Sequence, residues 1–432
     1  MAVKPERLTL RCYGVGFGDC FLLTFHYTGS TGDRHVLIDF GSTQRPPNAK
    51  AGLMKMIAKD IASVVGTQLH VLVATHRHAD HINGFATNPS GTGTGDIIAK
   101  LNPALVVQPW TEKPDAPADF IGTGRSMKGA DAALRLTLTR MTAVAAAVAR
   151  QARHLPAAAR SEIQFIAEDG VANLSAVKNL ARMGQKTKAA YVRYGSKISA
   201  FKTLLPGVKV SVLGPPTIRQ KSDVLDQNPV NPTEYWHFAN FWALRAAPNN
   251  LAPNIDLFPR ARSLRALDQM PAEARWFVRR LRAVRADQLL GLVRSMDGAL
   301  NNTSVILLFE AGGKKLVFPG DAQWENWELA LKKNAALLKN VDVYKVGHHG
   351  SLNATPKTLW NAFSKRSEQV GTSGRLVTVM STRTDSMHGH PENKSEVPRQ
   401  TLVDELKRKS LHRSTQELEP DGDLVLELQF DL

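Results

Sequence analysis

The sequence predicts a mixed α/β fold, with β-rich stretches towards both ends of the chain and helical, basic segments between them. Short alternating strands joined by glycine-rich turns come first, a helix and further strands follow, and hydrophobic strands return in the last third of the chain. We therefore expect a single domain of 432 residues interrupted by two insertions. Its core is predicted at residues 6–108, 207–215 and 300–430, and the insertions at residues 110–206 and 217–299.

The first core segment begins with an antiparallel meander. Its strands are predicted at residues 8–13, 19–27 and 35–39. Residues 51–65 carry apolar side chains at helical spacing and should pack on this sheet. A buried strand at residues 71–74 and another at residues 104–107 continue the alternation. Asp19 and Asp39 lie at strand ends beside glycines, where a role in a turn and a contact with a functional site are both open.

The two insertions are predicted to be helical and basic. The first should contain helices at residues 130–154 and at about residues 171–183, and the second a helix at residues 271–296. Residues 171–221 contain ten Lys or Arg residues and no Asp or Glu, with aromatic residues among them. Residues 260–294 contain nine arginines against three acids. This pattern suits a surface that binds phosphates and stacks bases, but it is also that of a solvated basic face.

The last core segment alternates strands and helices. A strand at residues 208–214 marks the return of the core between the two insertions. Later strands are predicted at residues 303–309, 315–318, 341–346, 376–380 and 424–430, with a helix at residues 324–338.

The heptad T-H-R-H-A-D-H at residues 75–81 is the strongest chemical signal, and it directly follows a buried strand. His76 and His78 are two residues apart, so on extended backbone their imidazoles point to the same side. Asp80 and His81 follow where a helix should begin, and they add a carboxylate and a third imidazole. Neutral imidazole and carboxylate suit zinc, and also manganese or iron. The spacing therefore predicts a metal site.

Further candidate residues follow other strands. Asp321 comes after Gly320, whose lack of a side chain lets the backbone approach closely, and its carboxylate is well placed to bridge two metals. His348 and His349 lie between glycines at a strand end, where a role in the core is hard to justify. His390 follows the strand at residues 376–380, and a purely structural turn is the open alternative there.

Composition narrows the class of protein. The hydrophobic fraction of 43% and the charged fraction of 22% are those of a soluble globular protein with a substantial core. A formal charge of +16 favours nucleic acid or another phosphate-rich partner, although a basic surface without a specific role remains open. The only cysteines, Cys12 and Cys20, exclude a disulfide framework. Without a signal peptide or an apolar span, we expect a cytoplasmic protein with no membrane partner.

Taken together, these motifs resemble the metallo-β-lactamase fold superfamily. The resemblance rests on T-H-R-H-A-D-H-I-N-G followed far downstream by F-P-G-D. The finer pattern is similar to the branch related to the nuclease domain of ComEC competence proteins. Its pieces occur in the family's order and cover the core but neither insertion: G-V-G-F-G-D-C-F-L-L, H-V-L-I-D-F-G-S, N-N-T-S-V-I-L-L, V-D-V-Y-K-V-G-H-H-G-S and H-G-H-P.

The resemblance implies an αββα sandwich of two mixed sheets, with two divalent ions, Zn²⁺ or Mn²⁺, at the sheet edge. The implied ligands are His76 and His78 for the first ion, Asp80, His81 and one histidine of the His348-His349 pair, with His349 preferred, for the second, and Asp321 as the bridge. His348 and His390 would lie close enough to contact a phosphate oxygen or to donate a proton, so we count them with Asp80 as candidate catalytic residues.

One departure from the superfamily concerns the first ion. Many members place a third histidine shortly before the bridging aspartate, where this chain has Asn301-Asn302-Thr303-Ser304, as in the ComEC-like branch. The resemblance then implies that the first ion is held less tightly and exchanges more readily, and that it could be manganese in place of zinc. It also counts against a standard β-lactamase or a thioesterase-type hydrolase.

The function predicted from these residues is that of a metal-dependent phosphodiesterase, most simply a nuclease acting on DNA or RNA. Two divalent ions can lower the pKa of a shared water and stabilise both the attacking and the leaving oxygen. One alternative is a hydrolase of a small phosphodiester or phosphorylated head group, with the insertions as a lid. Another is a component of a multi-protein defence or DNA-handling system, whose basic helices dock a protein partner and whose hydrolysis is regulated.

Overall fold

The structure, a computed structural model, confirms the mixed α/β class. It describes residues 3–46, 49–113, 174–217, 219–221, 234, 298, 300–383, 397–418 and 422–432. The helices predicted at residues 130–154 and 271–296, and the candidate site residue His390, lie outside the described residues.

Two mixed β-sheets contain the described strands. The strands are β1 (Arg7–Tyr13), β2 (Phe21–His26), β3 (Arg34–Ile38), β4 (Val71–Val73), β5 (Leu105–Pro109), β6 (Ala189–Val192), β7 (Lys209–Gly214), β8 (Ile306–Ala311), β9 (Lys314–Phe318), β10 (Val343–Lys345), β11 (Val377–Met380), β12 (Leu411–Ser414) and β13 (Val425–Asp431). The first sheet has the order β13-β1-β2-β3-β4-β5-β6, and the second has the order β12-β11-β10-β9-β8-β7.

Each sheet is antiparallel in one half and parallel in the other. In the first sheet, β13, β1, β2 and β3 pair antiparallel, which confirms the predicted meander, and β3 to β6 pair parallel. In the second sheet, β7, β8 and β9 pair antiparallel, and β9 to β12 pair parallel. Within each parallel half, the strands end at the same edge of the sheet.

Helices lie against both sheets. Those of the described residues are α1 (Leu53–Val65), α2 (Ala79–Ile82), α3 (Thr94–Lys100), α4 (Leu174–Lys186), α5 (Ala200–Leu204), α6 (Trp324–Leu338), α7 (Lys357–Ala362) and α8 (Gln400–Lys409). Short 3₁₀ turns occupy Asn83–Phe85, Trp110–Glu112 and His348–Gly350. None of the helices in the described residues is long and apolar enough to cross a membrane.

Alternation along the strands divides the apolar side chains among three layers. Phe21 of β2 and Phe318 of β9 meet between the two sheets, with ring centroids 5.7 Å apart. Leu22 points the other way, into a layer that includes residues of α1, α3 and α4. Trp327 of α6 and Trp360 of α7 cover the outer face of the second sheet. Each large apolar side chain buried in this way stabilises the fold by about 1.5–3 kcal/mol.

The first insertion is less separate from the core than predicted. Residues 189–192, assigned to the insertion at residues 110–206, form β6, which pairs with β5 at the edge of the first sheet. Leu180 and Met183 of α4 are buried in the layer outside that sheet. This strand could not be predicted from the sequence, because Ala189-Ala190-Tyr191-Val192 is too short to show an alternating pattern.

Candidate metal centre

Segments that follow four parallel strands meet at one edge of the two sheets. Asp39 follows β3, residues 75–81 follow β4, Asp321 follows β9, and the pair His348-His349 follows β10. Sites in such folds lie outside the carboxyl ends of the strands, where successive loops converge. The predicted site residues of the two core segments, far apart in sequence, therefore occupy one place.

Four side chains form the centre of this place, and all of them are at most 1% exposed. They are Asp80, His81, Asp321 and His349, and their candidate ligand atoms all lie within 4.8 Å of one another. His349 Nε2 is 2.8 Å from Asp80 Oδ2, and His81 Nε2 is 3.0 Å from Asp321 Oδ2. The structure thus brings together the residues that the resemblance assigns to the second ion and the bridge, with His349 as the more central member of its pair.

Both central histidines are held by their outer nitrogen. His81 Nδ1 lies 2.8 Å from Asp39 Oδ2, and His349 Nδ1 lies 2.8 Å from the carbonyl oxygen of Ser381. A proton on each Nδ1 satisfies these acceptors and leaves the lone pair on Nε2, which faces the cluster. Histidines that bind metals are usually oriented in this way by a carboxylate or a carbonyl.

Asp39 is a positioning residue that sequence reasoning left undecided. Its carboxylate accepts hydrogen bonds from the backbone N–H and the hydroxyl of Thr75, each at 2.7 Å, in addition to its contact with His81. Its backbone has a φ of 57°, which is uncommon for a residue other than glycine. Asp39 therefore fulfils both roles that were open, because it holds the start of the ligand loop and orients a ligand.

Asp321 presents one oxygen to the cluster and has the other tied to the protein. Its Oδ1 accepts a hydrogen bond from the backbone N–H of His348 at 3.1 Å, whereas its buried Oδ2 faces His81 Nε2 in the cluster. Its own N–H donates to Ser304 Oγ at 3.1 Å. Gly320 makes the close approach that was predicted, since a Cβ there would lie 2.7 Å from the Cβ of Thr75.

Lys345 is a site residue that the sequence analysis missed. It is 2% exposed, forms an ion pair with Asp19, lies 3.5 Å from Asp321 Oδ1, and donates to the carbonyl oxygen of Gly320 at 3.1 Å. Burial alone would lower the pKa of Lys345, but the carboxylates of Asp19 and Asp321 outweigh burial and raise it. The only signal in the sequence was a lysine at the end of an otherwise apolar strand.

The centre carries more buried negative than positive charge. Four carboxylates lie in it, each at most 1% exposed: Asp19, Asp39, Asp80 and Asp321. Lys345 is the one lysine or arginine that the described residues place in ion-pair contact with them. Buried carboxylates are stable only when cations or hydrogen bonds compensate them. Divalent cations would supply the missing charge, and a donor set of carboxylates and imidazoles suits Zn²⁺ or Mn²⁺.

Protonated histidine compensates part of this buried negative charge. Burial opposes protonation of His81, but Asp321, Asp80 and Asp39 outweigh it and raise its pKa well above the ordinary value. Burial likewise opposes ionisation of Asp80, yet His81 and His349 lower its pKa. Asp80 Oδ1 is buried and accepts no hydrogen bond from the described residues. A buried carboxylate oxygen of this kind needs a compensating cation, which fits a metal ligand.

His76 and His78 lie beside this cluster and not within it. Both are 1% exposed, and His76 Nε2 is 3.0 Å from His78 Nδ1. The His76 ring is 4.2 Å from that of His81, measured between centroids. Burial lowers the pKa of His76, and that of His78 to about 4, so both imidazoles are neutral at neutral pH and can act as ligands.

Residues 301–304, where many superfamily members supply a histidine, have a supporting role in this structure. All four are at most 3% exposed. Ser304 accepts the hydrogen bond from the backbone of Asp321, and the next residue, Val305, donates its N–H to the carbonyl oxygen of Thr75 at 2.9 Å. The segment therefore joins the two ligand-bearing loops and offers no imidazole to the His76–His78 pair.

The residues of the His348-His349 pair have different positions. Both have left-handed backbone, with φ of 42° and 50°, which costs about 1–3 kcal/mol per residue and marks functional sites. The His348 side chain is 17% exposed, with Nε2 3.9 Å from Asp321 Oδ2 and Nδ1 2.9 Å from Ser351 Oγ. Burial lowers the pKa of His348. Its imidazole is thus neutral at the solvent side of the site, where a substrate phosphate could contact it.

Arg77, between the two histidines, fixes the ligand loop to the end of β5. Its guanidinium donates through Nε and Nη2 to the two carboxylate oxygens of Glu112, at 2.9 and 2.7 Å. The two side chains are only 15% and 6% exposed. Parallel two-point pairs of this kind are among the strongest charge-assisted hydrogen bonds. The loop that carries His76 and His78 is therefore held from the side opposite its imidazoles.

No protein-family model matches the chain, and no curated protein matches it.

Proposed function

We propose that this protein is a metal-dependent hydrolase with the αββα sandwich of the metallo-β-lactamase superfamily, from its ComEC-like branch, and that it cleaves the phosphodiester bonds of DNA or RNA. Two mixed sheets with helices on their outer faces agree with this assignment. The buried cluster of Asp80, His81, Asp321 and His349, in which Asp80 Oδ1 accepts no hydrogen bond from the described residues, is the observation that carries the proposal.

These residues would hold two divalent ions, one at the cluster and one at His76 and His78, with Asp321 between them. Ions bound there would activate a water for attack and neutralise the charge that develops on the phosphodiester. The protein contributes the rigidity of the ligands: Asp39 fixes His81, the Ser381 carbonyl fixes His349, and Lys345 holds the tied oxygen of Asp321.

His348 is our candidate for the group that meets the substrate. Its partial exposure lets a phosphate reach its ring, and a bound phosphate would favour the imidazolium that could donate a proton to the leaving oxygen. The formal charge of +16 favours a polyanionic substrate.

Cleavage of labelled single- and double-stranded DNA and RNA, in Mn²⁺ or Zn²⁺, tests the proposal. Wild-type protein should degrade at least one of these substrates, and Asp80→Ala should lose that activity. Asp404→Asn, an exposed carboxylate on α8, is the control that removes the same charge outside the site.

Three other outcomes would change or contradict the assignment. Turnover of a chromogenic phosphodiester without polynucleotide cleavage would favour a small phosphodiester as the substrate. Equal degradation by wild type and Asp80→Ala would contradict the proposed site. Stable co-purification with a protein partner, without activity alone, would favour a component of a larger system.

A further inference from the structure

Helix α4 presents a stripe of basic side chains on its outer face. Lys178, Arg182 and Lys186 are spaced four residues apart and all are exposed. Residues at this spacing lie on one side of a helix, with a rise of about 6 Å between successive members. No Asp or Glu occurs in α4.

The opposite face of α4 is fixed on the protein. Ala176, Leu180 and Met183 are buried in the layer outside the first sheet. Asn179 is 2% exposed, and its amide donates to the carbonyl oxygens of Phe85, at 2.9 Å, and Gly95, at 3.1 Å. The helix therefore cannot turn about its axis without losing these contacts, and the basic stripe stays directed at solvent.

The stripe begins near the metal centre and leads away from it. Phe85 ends the 3₁₀ turn that directly follows α2, the helix that carries Asp80 and His81. At the other end of α4, Lys186 Nζ lies 3.1 Å from Asn102 Oδ1, just before β5 begins. Because β5 ends at the edge that carries the site, α4 runs from that edge towards the far edge.

The described residues place no carboxylate beside these three cations. Within the part of the chain that the structure describes, none of them lies within ion-pair distance of an Asp or Glu. By contrast, Arg408 and Lys409 of α8 both pair with Glu405. Like charges four residues apart destabilise a helix, and a bound polyanion would relieve this repulsion.

We propose that the stripe formed by Lys178, Arg182 and Lys186 binds the phosphate backbone of the polynucleotide that the metal centre acts on, and this rests on the proposed function. Contacts to phosphates are independent of sequence and release counterions from the nucleic acid. The stripe would thus hold the part of a long substrate that extends beyond the site, and a short substrate would not reach it.

The test compares two triple variants of the full chain. One carries Lys178→Gln, Arg182→Gln and Lys186→Gln. The matched control carries Lys332→Gln, Lys333→Gln and Lys339→Gln, which removes the same charge from exposed positions in and just after α6, on the outer face of the second sheet. Binding of a fluorescent single-stranded oligonucleotide, with metal chelated to prevent cleavage, is measured over a series of salt concentrations.

The α4 variant should bind about tenfold more weakly at low salt, and the slope of log K against log salt concentration should fall by about 2 to 3. The α6 control should match wild type in both quantities. Hydrolysis of a small chromogenic phosphodiester should be equal in all three proteins, which shows that the site is intact.

Equal oligonucleotide affinity and salt slope in the α4 variant and wild type would overturn the proposal for the stripe alone, provided wild type cleaves polynucleotides. An equal loss in the α6 control would overturn it as well, because the effect would then come from net charge. A wild-type protein that neither binds nor cleaves polynucleotides would overturn both the stripe and the proposed function.

Discussion

The proposed metal centre has two halves, which differ in how the protein supports their ligands. The Asp80 half contains Asp80, His81, Asp321 and His349, and the His76–His78 half contains the other two histidines. In the Asp80 half, His81 is oriented by Asp39, His349 by the Ser381 carbonyl, and Asp321 by Lys345 and the backbone N–H of His348. In the other half, the ring nitrogens of His76 and His78 lie 3.0 Å apart, and His76 Nδ1 lies 3.2 Å from the hydroxyl of Thr75. Among the described residues, neither histidine belongs to a cluster with a carboxylate.

This difference implies unequal affinity for metal. Outer partners that orient ligands are worth about 10- to 100-fold in metal affinity, and those of the Asp80 half include the charged groups of Asp39 and Lys345, whereas the partner of His76 is the neutral hydroxyl of Thr75. Carboxylates add negative charge to the Asp80 half, whereas the two neutral imidazoles add none. We therefore expect the Asp80 half to fill first and the His76–His78 half to exchange its ion more readily, as the absence of a histidine at residues 301–304 also predicts.

Removing the buried Lys345 should have the largest effect, which is on the stability of the fold. Lys345→Met leaves Asp19 buried without its cation, so the free energy of unfolding should fall by about 3–5 kcal/mol. Urea denaturation of the metal-free protein measures this fall. Lys314→Met should change it by less than about 1 kcal/mol, because Lys314 is exposed, lies 3.9 Å from Asp342, and leaves Asp342 paired with Lys365. Unaltered stability of Lys345→Met would show that the Asp80 half is not held in this way.

Removing the carboxylate that orients His81 should lower the metal affinity of the Asp80 half in particular. Asp39→Asn keeps the size of the side chain but removes the carboxylate from His81 Nδ1, so affinity at the Asp80 half should fall about 10- to 100-fold. Competition with a metal-binding dye measures both binding steps. The step assigned to His76 and His78 should weaken less, because Asp39 reaches that half only through Thr75. An equal fall in both steps would contradict the division of the centre into two halves.

The metal affinities of the two halves should also depend differently on pH. The raised pKa of His81 means that metal binding must displace its proton, so affinity at the Asp80 half should increase with pH, by about tenfold per unit for each proton released. The pKa of His78 is lowered to about 4, and that of His76 is lowered too, so the affinity of their half should be flat from about pH 6 to pH 8.

Calorimetric titration in buffers of different ionisation enthalpy counts the protons released in each step. One or more protons should leave with the first metal and fewer with the second. Equal proton release in the two steps would be at variance with the opposite shifts of these histidine pKa values.

Weakening the attachment of the loop that carries His76 and His78 should have the smallest effect on metal affinity. Arg77→Gln breaks the two-point pair with Glu112, and affinity at the His76–His78 half should fall by less than about tenfold because the ligands themselves remain. Glu112→Gln should have the same effect, and the double variant should be no worse than either single one. Additive losses would mean that the two residues act separately.

Much of the centre could be predicted from local spacing. The H-x-H-x-D-H motif, the glycine before Asp321 and the adjacent histidines all stand at strand ends, and the structure brings them to one edge. Lys345 and Ser381 could not be predicted, because their contacts with Asp321 and His349 depend on the parallel pairing of β10 with β9 and β11. Asp39 was visible as a candidate, but its contact with His81 depends on the parallel pairing of β3 and β4.

Stepwise metal titration of the metal-free protein tests the central claim most directly, with wild type, His349→Ala and His76→Ala compared in parallel. Wild type should bind two ions in steps of unequal affinity. His349→Ala should lose the tighter step, and His76→Ala should lose the weaker step and keep the tighter one. If His76→Ala removes the tighter step, or if wild type binds no divalent ion, the proposed arrangement of the centre is contradicted.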